Sequence, residues 1–130
     1  MISAPGFGSN VQSDRVVGLI DLYPTLIELA GLEPREGMDG QSLVALLREP
    51  GLPWPRPVVS TYGFRNHSIR TERWRYIRYH DGTEELYDHD ADPNEWTNLA
   101  VAPVADKYRE VIDQLARNLP EVNVPAPESD

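Results

Sequence analysis

Five arginines fall within the fourteen residues 65–78: Arg65, Arg70, Arg73, Arg75 and Arg78, with Glu72 the single acid among them. A guanidinium is planar and permanently charged, and its fork of donors suits a carboxylate, phosphate or sulfate. The first of the five belongs to a polar triplet, Arg65-Asn66-His67. Polar groups clustered at the mouth of a strand often line a pocket. Two uses of the arginines are open. They could bind an anionic ligand, or they could lie along a solvated strand face with their stems covering apolar neighbours. His67 likewise reads either as a pocket residue or as a hydrogen-bonded histidine at a strand end.

The other reactive residue types form no complete catalytic set. His67, His80 and His89 do not pair at helical spacing, which argues against a zinc site. Asp88-His89-Asp90-Ala91-Asp92 fails as an EF-hand loop, because Pro93 would stand where the loop needs glycine and Leu99 where it needs a bidentate glutamate. Asp92-Pro93-Asn94-Glu95 reads instead as a type I turn. Ser60, Thr61 and Ser68 lack a nucleophile elbow or an evident base, and there is no glycine-rich phosphate loop. Asn66-His67-Ser68 matches a glycosylation sequon by chance spacing. With no cysteine, the chain has no disulfide, zinc-thiolate or thiol chemistry. No catalytic residue and no metal ligand is therefore assigned.

The elements that must position these residues follow from periodicity. Residues 1–15 read as the end of a strand running into a Gly/Ser/Asn-rich loop. Leu22, Leu26, Ile27, Leu29 and Ala30 recur at helical spacing, with Asp21 as N-cap, Pro24 in the first turn and Gly31 at the end. This helix is apolar on more than one side, which calls for a large covering partner or else self-association. A short helix over 42–48 stops at Pro50. Four prolines in residues 50–57 make an extended connector and mark a subdomain boundary. Beyond it the period falls to two. Strands are predicted over 58–62, 67–71, 74–80 and 85–88, with Asp81-Gly82 as a hairpin turn. Val104, Tyr108, Val111, Ile112, Leu115 and Leu119 form the stripe of a closing helix that starts near Pro103. The expected fold is α+β: a four-stranded antiparallel sheet packed on a C-terminal helix, preceded by helical segments. Residues 120–130 are expected to fray.

Composition limits the partners. The 130 residues suffice for one ordinary domain, and 40% hydrophobic residues argue against disorder. The net charge of −9 lies wholly in residues 84–130, which makes nucleic-acid binding unfavourable. No run approaches the roughly 20 apolar residues of a membrane span, and the N-terminus does not read as a signal peptide.

Two sets of motifs carry a family resemblance. One is Ile2-Ser3-Ala4-Pro5-Gly6, then Leu19-Ile20-Asp21-Leu22-Tyr23-Pro24-Thr25-Leu26-Ile27-Glu28-Leu29-Ala30-Gly31, then Asp39-Gly40-Gln41-Ser42-Leu43. The other is Ile69-Arg70-Thr71-Glu72-Arg73-Trp74-Arg75-Tyr76-Ile77, then Glu85-Leu86-Tyr87-Asp88, Asp92-Pro93-Asn94-Glu95 and Asn98-Leu99-Ala100. In order and spacing they resemble the last third of a type I sulfatase of the alkaline phosphatase superfamily. The Trp-Arg-Tyr-Ile run and the acidic Asp92-Pro93-Asn94-Glu95-Trp96 turn most resemble bacterial iduronate-2-sulfatase-like and choline-sulfatase-like members.

That resemblance implies a sulfuric ester hydrolase whose formylglycine arises from a Cys/Ser-x-Pro-x-Arg motif and whose calcium ion is held upstream. Neither motif occurs here, so the chain is expected to carry no cofactor and to be inactive alone. Residues 1–49 would be the closing part of the large α/β domain, and 58–119 the small subdomain beside the active-site cleft. Arg65, Asn66 and His67 would contact a sulfated saccharide or small sulfate ester. The alternative is a standalone module that binds anionic saccharides through its Arg-rich hairpin.

Overall fold

A computed structural model describes residues 2–8 and 11–125. The chain divides into two compact units, Met1–Pro55 and Arg56–Asp130, and the division falls inside the proline-rich stretch. Part of the expected fraying tail, residues 126–130, lies outside the described residues, as do residues 1, 9 and 10 of the N-terminal segment.

The first unit is built from short helices. A 3-10 turn, Leu19–Asp21, runs directly into α1, Leu22–Leu29, and α2 spans Val44–Arg48. Gly31 ends α1 as foreseen. It takes φ +66, its N–H bonds Glu28 O, and the next N–H, of Leu32, reaches back to Ile27 O. This pair of bonds satisfies two carbonyls that the helix end would leave open, and the left-handed turn suits glycine.

Asp21 stands at the N-cap position of α1, as the sequence suggested, but with helical dihedrals and no side-chain capping bond. Its carboxylate is fully buried and accepts N–H bonds from Gly18 at 2.8 Å and Gln41 at 2.9 Å. Thr25, one turn on, donates to Asp21 O and accepts the Leu43 N–H at 2.9 Å. The two side chains pin residues 41–43 to the helix. Gly40 permits this approach, since a Cβ there would stand 2.1 Å from Ile20 O. Leu43, Leu46 and Trp54 form the small core of this unit, with Trp54 drawn in from the proline-rich segment. The strand expected at its start is absent: residues 2–8 form a turn, with Phe7 N–H near Ala4 O. Among the described residues of this unit no strand offers a ladder that could hold them extended.

The second unit is the predicted α+β sheet. Strands β1 (Val58–Thr61), β2 (His67–Arg70), β3 (Trp74–Arg78) and β4 (Glu84–Asp88) pair antiparallel in sequence order. Helix α3, Ala105–Ala116, covers one face. It starts two residues later than Pro103 suggested; the Ala102–Pro103 peptide is cis and lies in the turn before it.

Register explains the core. Val59, Ile69, Tyr76 and Leu86 are cross-strand neighbours in one row. Ile69, Tyr76 and Leu86 are fully buried with Ile112 and Leu115 of α3. Because side chains alternate along a strand, the intervening residues point to the opposite face. That open face carries Ser60, Ser68, Ile77 and Glu85 in one row, and Val58, Arg70, Arg75 and Tyr87 in the next.

Candidate substrate-contact site

The triplet Arg65-Asn66-His67 closes the β1–β2 hairpin, and its three side chains do different things. Asn66 is the clasp of the turn. Its amide nitrogen donates to Tyr62 O at 2.9 Å and Phe64 O at 3.2 Å, and its oxygen accepts the His80 N–H at 3.1 Å. One side chain thus ties both hairpin ends together. Arg65 is exposed at the tip, with φ 60 and its guanidinium 4.9 Å from the centre of the Phe64 ring. A non-glycine residue in this region is uncommon and costs energy, which the Asn66 bonds and the stacked cation help to offset.

His67 is buried, 6% exposed. Its Nδ1 lies 2.9 Å from Thr61 Oγ1 and its Nε2 lies 2.7 Å from Asn123 Oδ1. The Asn123 amide nitrogen donates to Pro120 O, which leaves its oxygen facing the ring. That orientation has Nε2–H donate to Asn123 Oδ1, and a neutral ring would then accept the Thr61 hydroxyl at Nδ1. This is the hydrogen-bonded strand-end histidine. Of the three residues, Arg65 alone presents a charged head to solvent. Asn123 could not have been found from sequence, because it lies 56 residues from its partner in a stretch with no periodicity.

Most of the remaining arginine cluster is matched by acids of this chain. Arg73 makes two bonds to Asp88, at 2.9 and 2.7 Å, and its guanidinium lies over the Trp74 ring. Arg78 meets Glu84 at 2.6 Å, and Arg109 of α3 reaches the same carboxylate at 3.3 Å. Arg75 grips both oxygens of Glu95. Arg70 donates to the carbonyls of Thr71, Glu72 and Trp74. These cations brace the sheet, so Arg75 and Arg78 are not the bare charges that an anion-binding hairpin would need.

The acids respond to this pairing. The Arg73 hydrogen bonds hold Asp88 below the usual carboxylate range. Burial alone would raise Glu84 and Glu95. Hydrogen bonds from Tyr76 and Arg78 outweigh it at Glu84, and those from His89 and Arg75 do so at Glu95, so both are lowered. On the open face, burial and a bond to Glu85 push the Tyr87 hydroxyl up to about 12. The expected turn forms at Asp92-Pro93-Asn94-Glu95, where the Glu95 N–H bonds Asp92 O at 3.2 Å; just before it Ala91 and Asp92 N–H bond Asp88 O, and the Asp92 carboxylate accepts the Thr97 N–H. Sequence reading missed that Glu95 and His89 turn back onto the sheet.

Beside the hairpin mouth the open face forms a groove of about 700 Å³, bordered by Tyr62, Asn66, Ser68, Ile77 and Tyr79. Its walls are the two turns that Asn66 joins.

The fold and its motifs match a known family over almost their whole length. The model of the N-sulphoglucosamine sulphohydrolase C-terminal family matches residues 1–124. The chain belongs to this sulfatase C-terminal family. Among curated relatives, a sulfatase of Formosa agariphila is 36% identical over 93% of the chain, and arylsulfatase K of Gallus gallus is 34% identical over 92%. These alignments cover 23% and 24% of the two relatives, so the chain spans about a quarter of their length.

Solved sulfatase structures share the fold. A 2-O GAG sulfatase, BT1596, is 32% identical with a TM-score of 0.58, covering 75% of this chain and 24% of that one. BT4656, solved with its substrate D-glucosamine-2-N,6-O-disulfate, is 26% identical with a TM-score of 0.62, covering 75% and 22%. The phosphonate monoester hydrolase of Agrobacterium radiobacter, 29% identical with a TM-score of 0.59, covers 75% and 23%. Its likeness fits the wider alkaline phosphatase superfamily.

Proposed function

We propose that this chain is the C-terminal portion of a sulfatase, a sulfuric ester hydrolase, in which it shapes the substrate pocket and performs no sulfate-ester chemistry by itself. The observation that carries the reading is the family match over residues 1–124 in a chain with no cysteine and no serine in the Ser-x-Pro-x-Arg pattern. Sulfur attack needs a nucleophile and an electrophilic anchor for the sulfate oxygens. In the sulfatase family those are the formylglycine and the calcium ion, which belong to upstream sequence.

In this reading Arg65 meets the anionic group of a sulfated saccharide or small sulfate ester. Its exposed guanidinium is held out by the Asn66 clasp, and Asn66 and His67 keep the hairpin mouth rigid. The substrate named for BT4656, a sulfated glucosamine, and the 2-O GAG activity named for BT1596 support a sulfated sugar. The Trp74-Arg75-Tyr76-Ile77 run supports the finer resemblance to iduronate-2-sulfatase-like and choline-sulfatase-like members. The helical first unit is then the closing part of the large α/β domain.

The test is turnover of p-nitrocatechol sulfate by the pure chain, with and without calcium. No turnover is expected. Clear hydrolysis by the chain alone would end the proposal.

A further inference from the structure

The groove on the open sheet face differs chemically from the arginine tip beside it. Its border carries one permanent cation, Arg75, and one carboxylate, Asp81, together with the imidazoles of His67 and His80. The guanidinium and the carboxylate are committed. Arg75 is taken by Glu95 and by Ser68 Oγ at 3.3 Å. Asp81 Oδ1 accepts the Thr83 N–H at 2.9 Å and the Thr83 hydroxyl at 2.7 Å. A ligand entering the groove therefore meets no unmatched permanent charge.

It meets hydroxyls and rings instead. Ser60 and Ser68 are cross-strand neighbours, and Ile77 follows Ser68 in the same row. Tyr79 continues the Ile77 side of the chain, and its hydroxyl bonds Glu85 at 3.1 Å, which fixes the ring's orientation. Tyr62 stands at the opposite wall, 87% exposed. An apolar floor, aromatic walls and neutral hydroxyls suit a molecule with both a C–H face and many hydroxyl groups. The volume of about 700 Å³ lies within the usual range for small-ligand sites.

We propose that this groove binds an uncharged pyranose ring. As part of a substrate it would hold a sugar unit next to the sulfated one met by Arg65; that placement rests on the sulfatase reading, whereas the binding does not. Neutral sugar recognition at this face follows from the committed charges. A sulfated ring would need a free cation, and Arg75 would have to leave Glu95 to supply one.

The experiment is an NMR titration of the isotope-labelled full chain with the neutral disaccharide cellobiose. Saturable shifts at Ser60, Ser68, Ile77 and Tyr79, with millimolar affinity, are expected. Tyr62→Ala should weaken binding about fivefold and Tyr62→Phe should keep it, because the ring and not the hydroxyl provides the contact. Tyr62 is exposed, so both variants should retain the parent spectrum away from the groove. Absent or non-saturating shifts would overturn the proposal, as would a Tyr62→Ala variant that binds as well as the parent. Displacement of the sugar by equimolar sodium sulfate would overturn it too, by showing an anion site. None of these outcomes depends on the sulfate-ester assay, so the two readings fail separately.

Discussion

Glu95 sits at φ 59, and both its carboxylate oxygens accept from one nitrogen of Arg75, at 3.1 and 2.9 Å. His89 Nε2 approaches the same carboxylate at 2.7 Å. A side chain seventh in line after the end of β4 is thus pulled back over the open face, and the backbone accepts an unfavourable dihedral to deliver it. Strain of this kind costs on the order of 1–3 kcal/mol and persists where the surroundings hold it. Because Arg75 is part exposed, solvent screening limits the pair itself to about 1 kcal/mol or less. Glu95→Gly loses the clamp and relieves the strain; Glu95→Ala loses the clamp and keeps the strain. Urea denaturation should therefore rank Glu95→Ala below Glu95→Gly in stability, by about 1 kcal/mol. The reverse order would show that the dihedral is not strained.

Much of the second unit was legible in its residues. Alternation in Trp74-Arg75-Tyr76-Ile77-Arg78 marks a strand with one face buried, and Tyr76 at its centre is fully buried. The 3.6-residue stripe that includes Ile112 and Leu115 marked the covering helix and its inward face. What stayed hidden depends on contacts between residues far apart. The burial of Asp21 comes from the approach of Gln41, twenty residues on, through a gap that Gly40 leaves open. Nothing local distinguishes that aspartate from a helix cap. At the candidate site the sequence placed the three residues together, and they do share the β1–β2 hairpin. It could not tell that Asn66 holds the turn while His67 turns inward to Asn123, since all three residues are polar and adjacent.

The depressed carboxyls of Asp88, Glu84 and Glu95 set the pH response of the second unit. Each has a folded-state value below its ordinary one, so the unfolded chain binds protons more readily. The stability these groups add is fully present above the ordinary carboxylate range and is lost as pH falls through their lowered values. The melting temperature should hold between neutral pH and about pH 5 and then fall on further acidification towards about pH 3. Glu84→Gln removes one titrating group and should flatten that slope while lowering stability at pH 7, because Tyr76, Arg78 and Arg109 all point at the Glu84 carboxylate. A melting temperature unchanged between pH 7 and pH 3 would contradict the account.

The first unit presents apolar side chains to solvent along its leading helical turn. Leu19 is 87% exposed, Ile20 51% and Leu26 63%, while the buried side of α1 is Pro24 and Thr25. The side chains that make α1 apolar are thus largely the ones its own unit leaves uncovered. Burying each large apolar side chain is worth about 1.5–3 kcal/mol, and several close together form the kind of patch that associates in water. We propose that the chain by itself self-associates through this helix. Light scattering of the pure chain at high concentration should report a dimer or larger species. Replacing Leu19 and Leu26 together with lysine should return it to a monomer without loss of the folded spectrum of the sheet, whose core of Ile69, Tyr76, Leu86 and Ile112 is untouched. A monomer in the unmodified chain, or association that survives both lysines, would remove the helix from that role.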